Sequence, residues 1–258
     1  MSAVATYAAN VAVAIRTSLM DRTNFLLQSV GMIVNDVFFL VLWYMFFAGF
    51  RRVGGWGLSD VALMLGLMMC IVGIAGVFFG GYRDMAATIL RGEIDALLTQ
   101  PKGVLLRLLA RESIATAWGD LAMGLWMLAS FAQLSWRALP LVAAGIVCGA
   151  TVYVASAVVY ASLAFWFAGA RSFARDLTDF MLLFSTYPGS IYTGATKFVA
   201  FTLLPAGFVV LAPVTFLRAP SLRTLATIVV AALVYAAFAA IAFHLGLRRY
   251  RQGKVPTG

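Results

Sequence analysis

Five side chains capable of proton or hydrogen-bond chemistry interrupt otherwise apolar runs: Asn35 beside Asp36, then Asp120, Asp179 and His244, the only histidine in the chain. An ionisable group in an apolar span is costly, so each is a candidate for the lining of a polar path or for a proton relay. Hydrogen bonding across a helix contact explains the same residues, and helix packing is the preferred reading for all of them. A single histidine excludes a multi-histidine metal site. Cys70 and Cys148 both sit inside apolar runs and read as small buried apolar residues rather than as a disulfide or metal pair. Gly189 to Lys197 approaches a phosphate-binding loop, but Ala195-Thr196-Lys197 lacks the Gly-Lys-Ser/Thr sequence that brings lysine and hydroxyl to phosphate and magnesium. The chain is therefore expected to bind no cofactor and to hydrolyse no ATP by itself. No paired carboxylates or nucleophile–base pair supports an intramembrane enzyme.

The elements that must hold these residues are long and apolar. Of 258 residues, 63% are hydrophobic and only 11% charged, with a mean hydropathy of +0.94. Soluble domains carry about 25% charged residues. A bilayer-spanning helix takes roughly 20 apolar residues, so six spans and their loops account for the chain as one domain, residues 1–258. The spans read as Phe25 to Phe50, Val61 to Tyr82, Ser113 to Leu134, Leu141 to Phe167, a fifth beginning at Leu177 and running to about Tyr187, and Thr224 to Leu247. Arg171, Arg175 and Asp176 mark a polar loop before the fifth. The N-terminus lacks the pattern of a cleaved signal peptide. Residues 2–22 place Val11, Ile15 and Leu19 on one helical face, as an interfacial helix would.

The net charge of +9 does not point to nucleic acid, because the basic residues sit in short loops beside the spans. With the N-terminus inside, thirteen of the 19 Lys and Arg residues fall on that side, from Arg16 and Arg22 through Arg83–Arg111 and Arg171–Arg175 to the basic tail. Arg51, Arg52, Arg137, Lys197, Arg218 and Arg223 fall on the other. The positive-inside rule then puts both termini in the cytoplasm. Trp43, Trp56 and Trp136 suit an outer aromatic belt, and Trp166 and Tyr250 an inner one. Gly76-x-x-x-Gly80 and Gly145-x-x-x-Gly149 allow close helix approach, within one subunit or between two.

Two segments are neither plain loop nor plain span. Between Arg83 and Glu112, Leu90, Ile94, Leu97 and Leu98 form the stripe of an amphipathic helix, with Arg91, Glu93 and Asp95 on its other surface and Pro101 ending it. Such a helix docks on a partner protein or lies against the membrane or the bundle, and the residues do not choose between these. Tyr187 to Pro220 is apolar yet carries Pro188-Gly189, Pro205, Gly207, Pro213 and Pro220. Broken helix at membrane depth needs protein or water to satisfy its freed backbone groups, which predicts short re-entrant or interfacial helices at the outer mouth.

Ile89 to Pro101, Ile-Leu-Arg-Gly-Glu-Ile-Asp-Ala-Leu-Leu-Thr-Gln-Pro, resembles the G-x-(I/L)-D-x-x-L-x-x-P stretch of a six-helix bacterial subfamily of ABC-2 type permeases. Tyr187 to Tyr192, continued by Phe201 to Pro213, resembles that subfamily's segment before the last helix, and the likeness covers essentially the whole chain. The resemblance implies an all-α, type V exporter-like membrane protein with an N-terminal interfacial helix, a cytoplasmic coupling helix and broken extracellular helices. It implies a half-transporter in the bacterial cytoplasmic membrane, working with two copies of a cytoplasmic ATPase, which holds ATP and magnesium, and with a second permease, identical or a paired paralogue. Gly92, Glu93, Asp95, Leu98 and Pro101 would then couple to the ATPase. Tyr187, Pro188, Tyr192, Pro205 and Pro213 would form the extracellular gate. The substrate would be amphipathic or hydrophobic: a drug, a peptide or a lipid. No further domain is expected after the short basic tail. A competing expectation is a proton-coupled carrier or channel using Asp36, Asp120 and His244. It is ranked lower because the inverted repeat common in such carriers is missing from the sequence.

Overall fold

The computed structural model describes residues 3–50, 52, 55–99, 103–131 and 136–253, which form helices joined by turns and short loops with no β-strand among them. Helix α1 (Ala3–Ser18) precedes α2 (Arg22–Gly49), α3 (Leu58–Phe79), the short α4 (Met85–Leu90), α5 (Asp95–Leu98) and α6 (Val104–Leu109), and then α7 (Ala115–Phe131). Helices α8 (Leu139–Ser162), α9 (Ala170–Ser185), α10 (Gly194–Thr202), α11 (Ala212–Arg218) and α12 (Leu222–Arg251) complete the order.

Four of these helical stretches are long and apolar enough to cross a bilayer: α2, α3 with its continuation to Leu90, α8 with its extension to Phe165, and α12. The α10 and Gly207–Arg218 pair passes the same test together but is bent by 77°. Helix α7 has 17 residues up to Phe131, beyond which the chain lies outside the described residues. Seventeen residues rise about 26 Å. Helix α9 has 16 residues and starts seven residues earlier than expected, so Arg171, Arg175 and Asp176 belong to its first turns rather than to a loop.

Helix α3 is the centre of the bundle. It packs mainly against α7 and α8, while α2 lies on α7 and α12 on α8. Glycines allow the α3–α7 approach: a Cβ on Gly73 would lie 2.7 Å from the Leu121 backbone nitrogen, and one on Gly124 2.7 Å from that of Cys70. Gly76 and Gly80 face Ala117, Ile114 and Glu112, and Gly145 and Gly149 face Pro213, Ile71 and Val209. Both GxxxG stretches therefore serve packing within the subunit.

Helix α2 buries only Ser29, Asp36, Trp43 and Phe47. The first three are seven residues apart, which is one stripe of a helix. Trp43 is thus a core residue, 7% exposed, and not the belt anchor its position near the span's end suggests. Its ring packs against Phe47 and Tyr187. Trp56 lies under the Arg218 guanidinium at 4.0 Å, and Trp166 is exposed. The side chain of Trp136 lies outside the described residues. The interfacial helix α1 buries Val11 and half-buries Ile15, but Leu19 falls beyond its last turn and is exposed. The Tyr7 hydroxyl ties α1 to α3 by donating to the Phe78 carbonyl at 2.8 Å.

Candidate functional site

The stripe Leu90, Ile94, Leu97 and Leu98 does not form one helix. Helix α3 continues through a tight turn at Gly80–Tyr82 into α4, giving a single stretch from Leu58 to Leu90. The chain then turns at Gly92, where φ is +72°, a conformation that glycine adopts without a Cβ penalty. The Gly92 amide donates to the Ile89 carbonyl and the Glu93 amide to the Thr88 carbonyl, which closes the end of α4 in the manner of a glycine C-cap. Ile94 is fully buried, and α5 follows as a single turn. The apolar stripe survives because the turn preserves its facing, not because the helix does.

Glu93 holds this knuckle together. Its Oε1 accepts from Arg91 Nε at 2.7 Å, and its Oε2 lies 2.9 Å from Arg111 Nη2, while Asp84 pairs with Arg91 at 3.0 Å. The Arg91 guanidinium, and then that of Arg111, hold the Glu93 carboxyl below its ordinary range. Glu93 therefore ties the end of α4 to the chain after α6. Asp95, Ala96 and Thr99 stand exposed beyond it, with Leu97 and Leu98 half-buried. The Tyr250 hydroxyl on α12 reaches Asp95, so the last helix also touches the knuckle. Pro101 lies outside the described residues.

The intramembrane polar groups divide into two sets. Asp36 is 3% exposed and Asp120 6%; the two are close enough to interact electrostatically, and Asn35 hydrogen-bonds Asp36 from the exposed side of α2. Asp120 and Asp179 line one cavity of about 510 Å³. Arg83, Arg171 and Arg175 line it too, as do Tyr82 and Tyr153, whose hydroxyls are 3.2 Å apart. His244 stands apart from this group, exposed on α12 with its Nδ1 2.7 Å from the Ala240 carbonyl. The arginines and the tyrosine pair were not singled out by the sequence reading. The four-residue spacing of Arg171, Arg175 and Asp179 was the available signal, since it marks one face of a helix.

On the opposite side, Tyr187 is exposed and Pro188 buried. Tyr192 is buried and stacks on Phe184, and its hydroxyl donates to the Phe184 carbonyl at 2.6 Å. The Pro205 carbonyl accepts from the amides of Phe208 and Val209, opening a π-helical turn over Gly207–Leu211 that leads into Pro213 in the first turn of α11. The bend between α10 and this turn is fastened from outside: the Tyr160 hydroxyl donates to the Leu203 carbonyl at 2.6 Å, and Tyr235 reaches the carbonyls of Phe201 and Thr202. Arg218 closes the segment onto Asp60 at 2.6 Å. The near phosphate-loop sequence falls here, with Thr193 capping α10.

A bundle of apolar helices around a glycine-packed α3, a polar knuckle between spans and a tyrosine-fastened bent pair define a polytopic all-α membrane protein. The family profile described as ABC-2 family transporter protein matches residues 33–253, and the chain belongs to that family. It is a multi-pass, all-α membrane component of an ABC transporter, a permease subunit and not the ATPase, and proteins of this family work with ABC ATPase partners. No curated protein and no solved structure matches the chain.

Proposed function

We propose that the chain is the membrane half of an ATP-driven exporter, assembled from two permease chains, identical or paired paralogues, and two copies of a cytoplasmic ATPase that holds ATP and magnesium. The observation that carries this reading is the continuity of Leu58–Leu90 with the ion-paired knuckle at Glu93. Helices α3 and α4 and the tight turn between them form one stretch of 33 residues, so displacement of the knuckle is delivered to the centre of the bundle. Asp95 and Leu98, presented beyond the turn at Gly92, meet the ATPase together with Pro101, while Glu93 keeps the knuckle rigid. The bent segment containing Tyr187, Pro188, Tyr192, Pro205 and Pro213 is the extracellular gate. The protein sits in the bacterial cytoplasmic membrane with both termini inside, and moves an amphipathic or hydrophobic drug, peptide or lipid outward from the cytoplasm or inner leaflet. Co-purification from the host tests this directly. An associated nucleotide-binding subunit and ATP hydrolysis in the reconstituted complex support the reading; repeated isolation of the permease without any such subunit rejects it.

The proximity of Asp36 and Asp120 favours one second reading, a proton-coupled carrier. Transport that survives ATP depletion and stops when the proton gradient is dissipated supports that alternative. His244 adds nothing to it, because it lies outside the carboxyl cluster.

A further inference from the structure

The cavity between α3, α7, α8 and α9 carries charges of both signs. Arg83, Arg171 and Arg175 line it, and among the described residues none of the three forms an ion pair. Arg171 and Arg175 lie one turn apart at the start of α9, where no acidic residue occupies the first turn. Cations at that end oppose the helix dipole, and an anion there is favoured by dipole and guanidinium together. All three arginines are exposed, which places them at the mouth.

The interior has the opposite requirement. Asp120 is 6% exposed, lines the same cavity and accepts no hydrogen bond from a described residue. Its nearest electrostatic neighbours are Asp36, which repels it, and Arg83. A carboxylate so placed is stabilised by a donor or cation arriving from the cavity. Asp179 also lines the cavity but is exposed, one turn beyond Arg175. Ala117, Ala157 and Ala161 line the cavity as well, adding apolar wall beside the charged groups.

We propose that this cavity is a binding site for a zwitterion, taking an ammonium group against Asp120 and a carboxylate or phosphate against Arg171 and Arg175. A short peptide and an aminophospholipid headgroup share that chemistry. As a statement about transported substrate this rests on the permease reading; as a statement about binding it does not.

The test places the full chain in phosphatidylglycerol nanodiscs and titrates it by calorimetry with 8-aminooctanoate, octanoate and octylamine. 8-Aminooctanoate is expected to bind about tenfold or more tighter than either single-charge probe, as one added charge-assisted contact warrants. Asp120→Asn should reduce its affinity to that of octanoate, and Arg171→Gln combined with Arg175→Gln to that of octylamine. Because both arginines are exposed, the double variant carries the test even where the buried Asp120→Asn chain fails to fold. Arg22→Gln, an exposed arginine outside the cavity, should change none of the three affinities. Equal binding of 8-aminooctanoate and octanoate by the unaltered chain, or full affinity in the arginine variant, overturns the proposal. Adding phosphatidylethanolamine to the discs assigns the source: competition identifies a lipid headgroup, and undiminished affinity a soluble zwitterion. ATP hydrolysis by the assembled complex is scored separately. A complex that hydrolyses ATP but shows no zwitterion preference sinks this site alone, and a chain that binds the zwitterion but never supports an ATPase sinks the permease reading alone.

Discussion

The chain interrupts its helical bundle twice, once between α4 and α7 and once between α9 and α12, and the two interruptions are fastened by different physics. The inner knuckle uses ion pairs among Asp84, Arg91, Glu93 and Arg111 on side chains that remain one-third to one-half exposed. The outer segment uses tyrosine hydroxyls on backbone carbonyls, at Tyr192, Tyr160 and Tyr235. Partly exposed ion pairs are weak and salt-sensitive. Carbonyls freed by a bend within apolar surroundings have no water to fall back on, so each must be given a donor. The outer segment also exposes Ile191, Phe198 and Leu203, whereas the knuckle exposes mainly Leu106 among large apolar residues. One region is fastened by partly exposed charges and the other by hydroxyls on backbone carbonyls among apolar side chains.

The largest effect that separates them comes from packing. Gly81, at the turn joining α3 to α4, has the Leu108 carbonyl where a Cβ would stand. Gly81→Val should cost about 3 kcal/mol or more and abolish the monodisperse peak in size-exclusion chromatography, while Gly194→Ala, where the outer side has open space, should cost only the strain of a positive φ. A moderate effect is expected from Tyr160→Phe, which leaves the Leu203 carbonyl without its donor. It should lower stability by about 1–3 kcal/mol in thermal unfolding in detergent, with no dependence on salt. Salt-insensitivity of the knuckle, or salt-sensitivity of this variant, would break the contrast.

Glu93→Gln should act locally and less severely, raising protease cleavage between Leu90 and Val104 without changing cleavage in 187–220. Titration gives the same contrast without mutation. Because Arg91 and Arg111 hold the Glu93 carboxyl below the ordinary value of 4.5, its contribution is present above about pH 4.5 and is lost as pH falls through the lowered value. Acidification below that range should expose the knuckle to an acid-active protease and leave the tyrosine-fastened segment protected. The smallest structural effect belongs to Asp95→Asn, which should leave folding untouched and reduce transport per ATP hydrolysed in reconstituted vesicles.

Much of this contrast was legible in the residues. The prolines at 188, 205, 213 and 220 announced a broken outer segment, because no continuous span tolerates them. The i, i+4 spacing of Leu90, Ile94 and Leu98 announced one apolar face there, of which Ile94 is buried and Leu90 and Leu98 half-buried. What the spacing did not reveal is the break at Gly92: a glycine turn that keeps Ile94 buried produces the same apolar pattern as an unbroken helix. Trp43 looked like an interfacial anchor because it lies near the end of an apolar run, and only its burial, on one stripe with Ser29 and Asp36 and against Tyr187, shows it facing the core. Arg171 and Arg175 looked like a loop because two charges in five residues lower apolarity, yet α9 carries them on one face toward the cavity. In each case a tertiary neighbour decided the outcome, and local composition does not contain that neighbour.

The central claim is that the inner knuckle, and not the outer segment, is where the ATPase engages. Cysteine cross-linking in native membranes tests it most directly, since Cys70 is buried and Cys148 half-buried. Ala96→Cys, exposed beyond Glu93, should cross-link to the ATPase subunit with an ATP-dependent yield, and Phe198→Cys, 69% exposed on α10, should give none. Absence of the Ala96→Cys adduct from a complex that hydrolyses ATP, or an equal adduct at Phe198→Cys, would contradict the account.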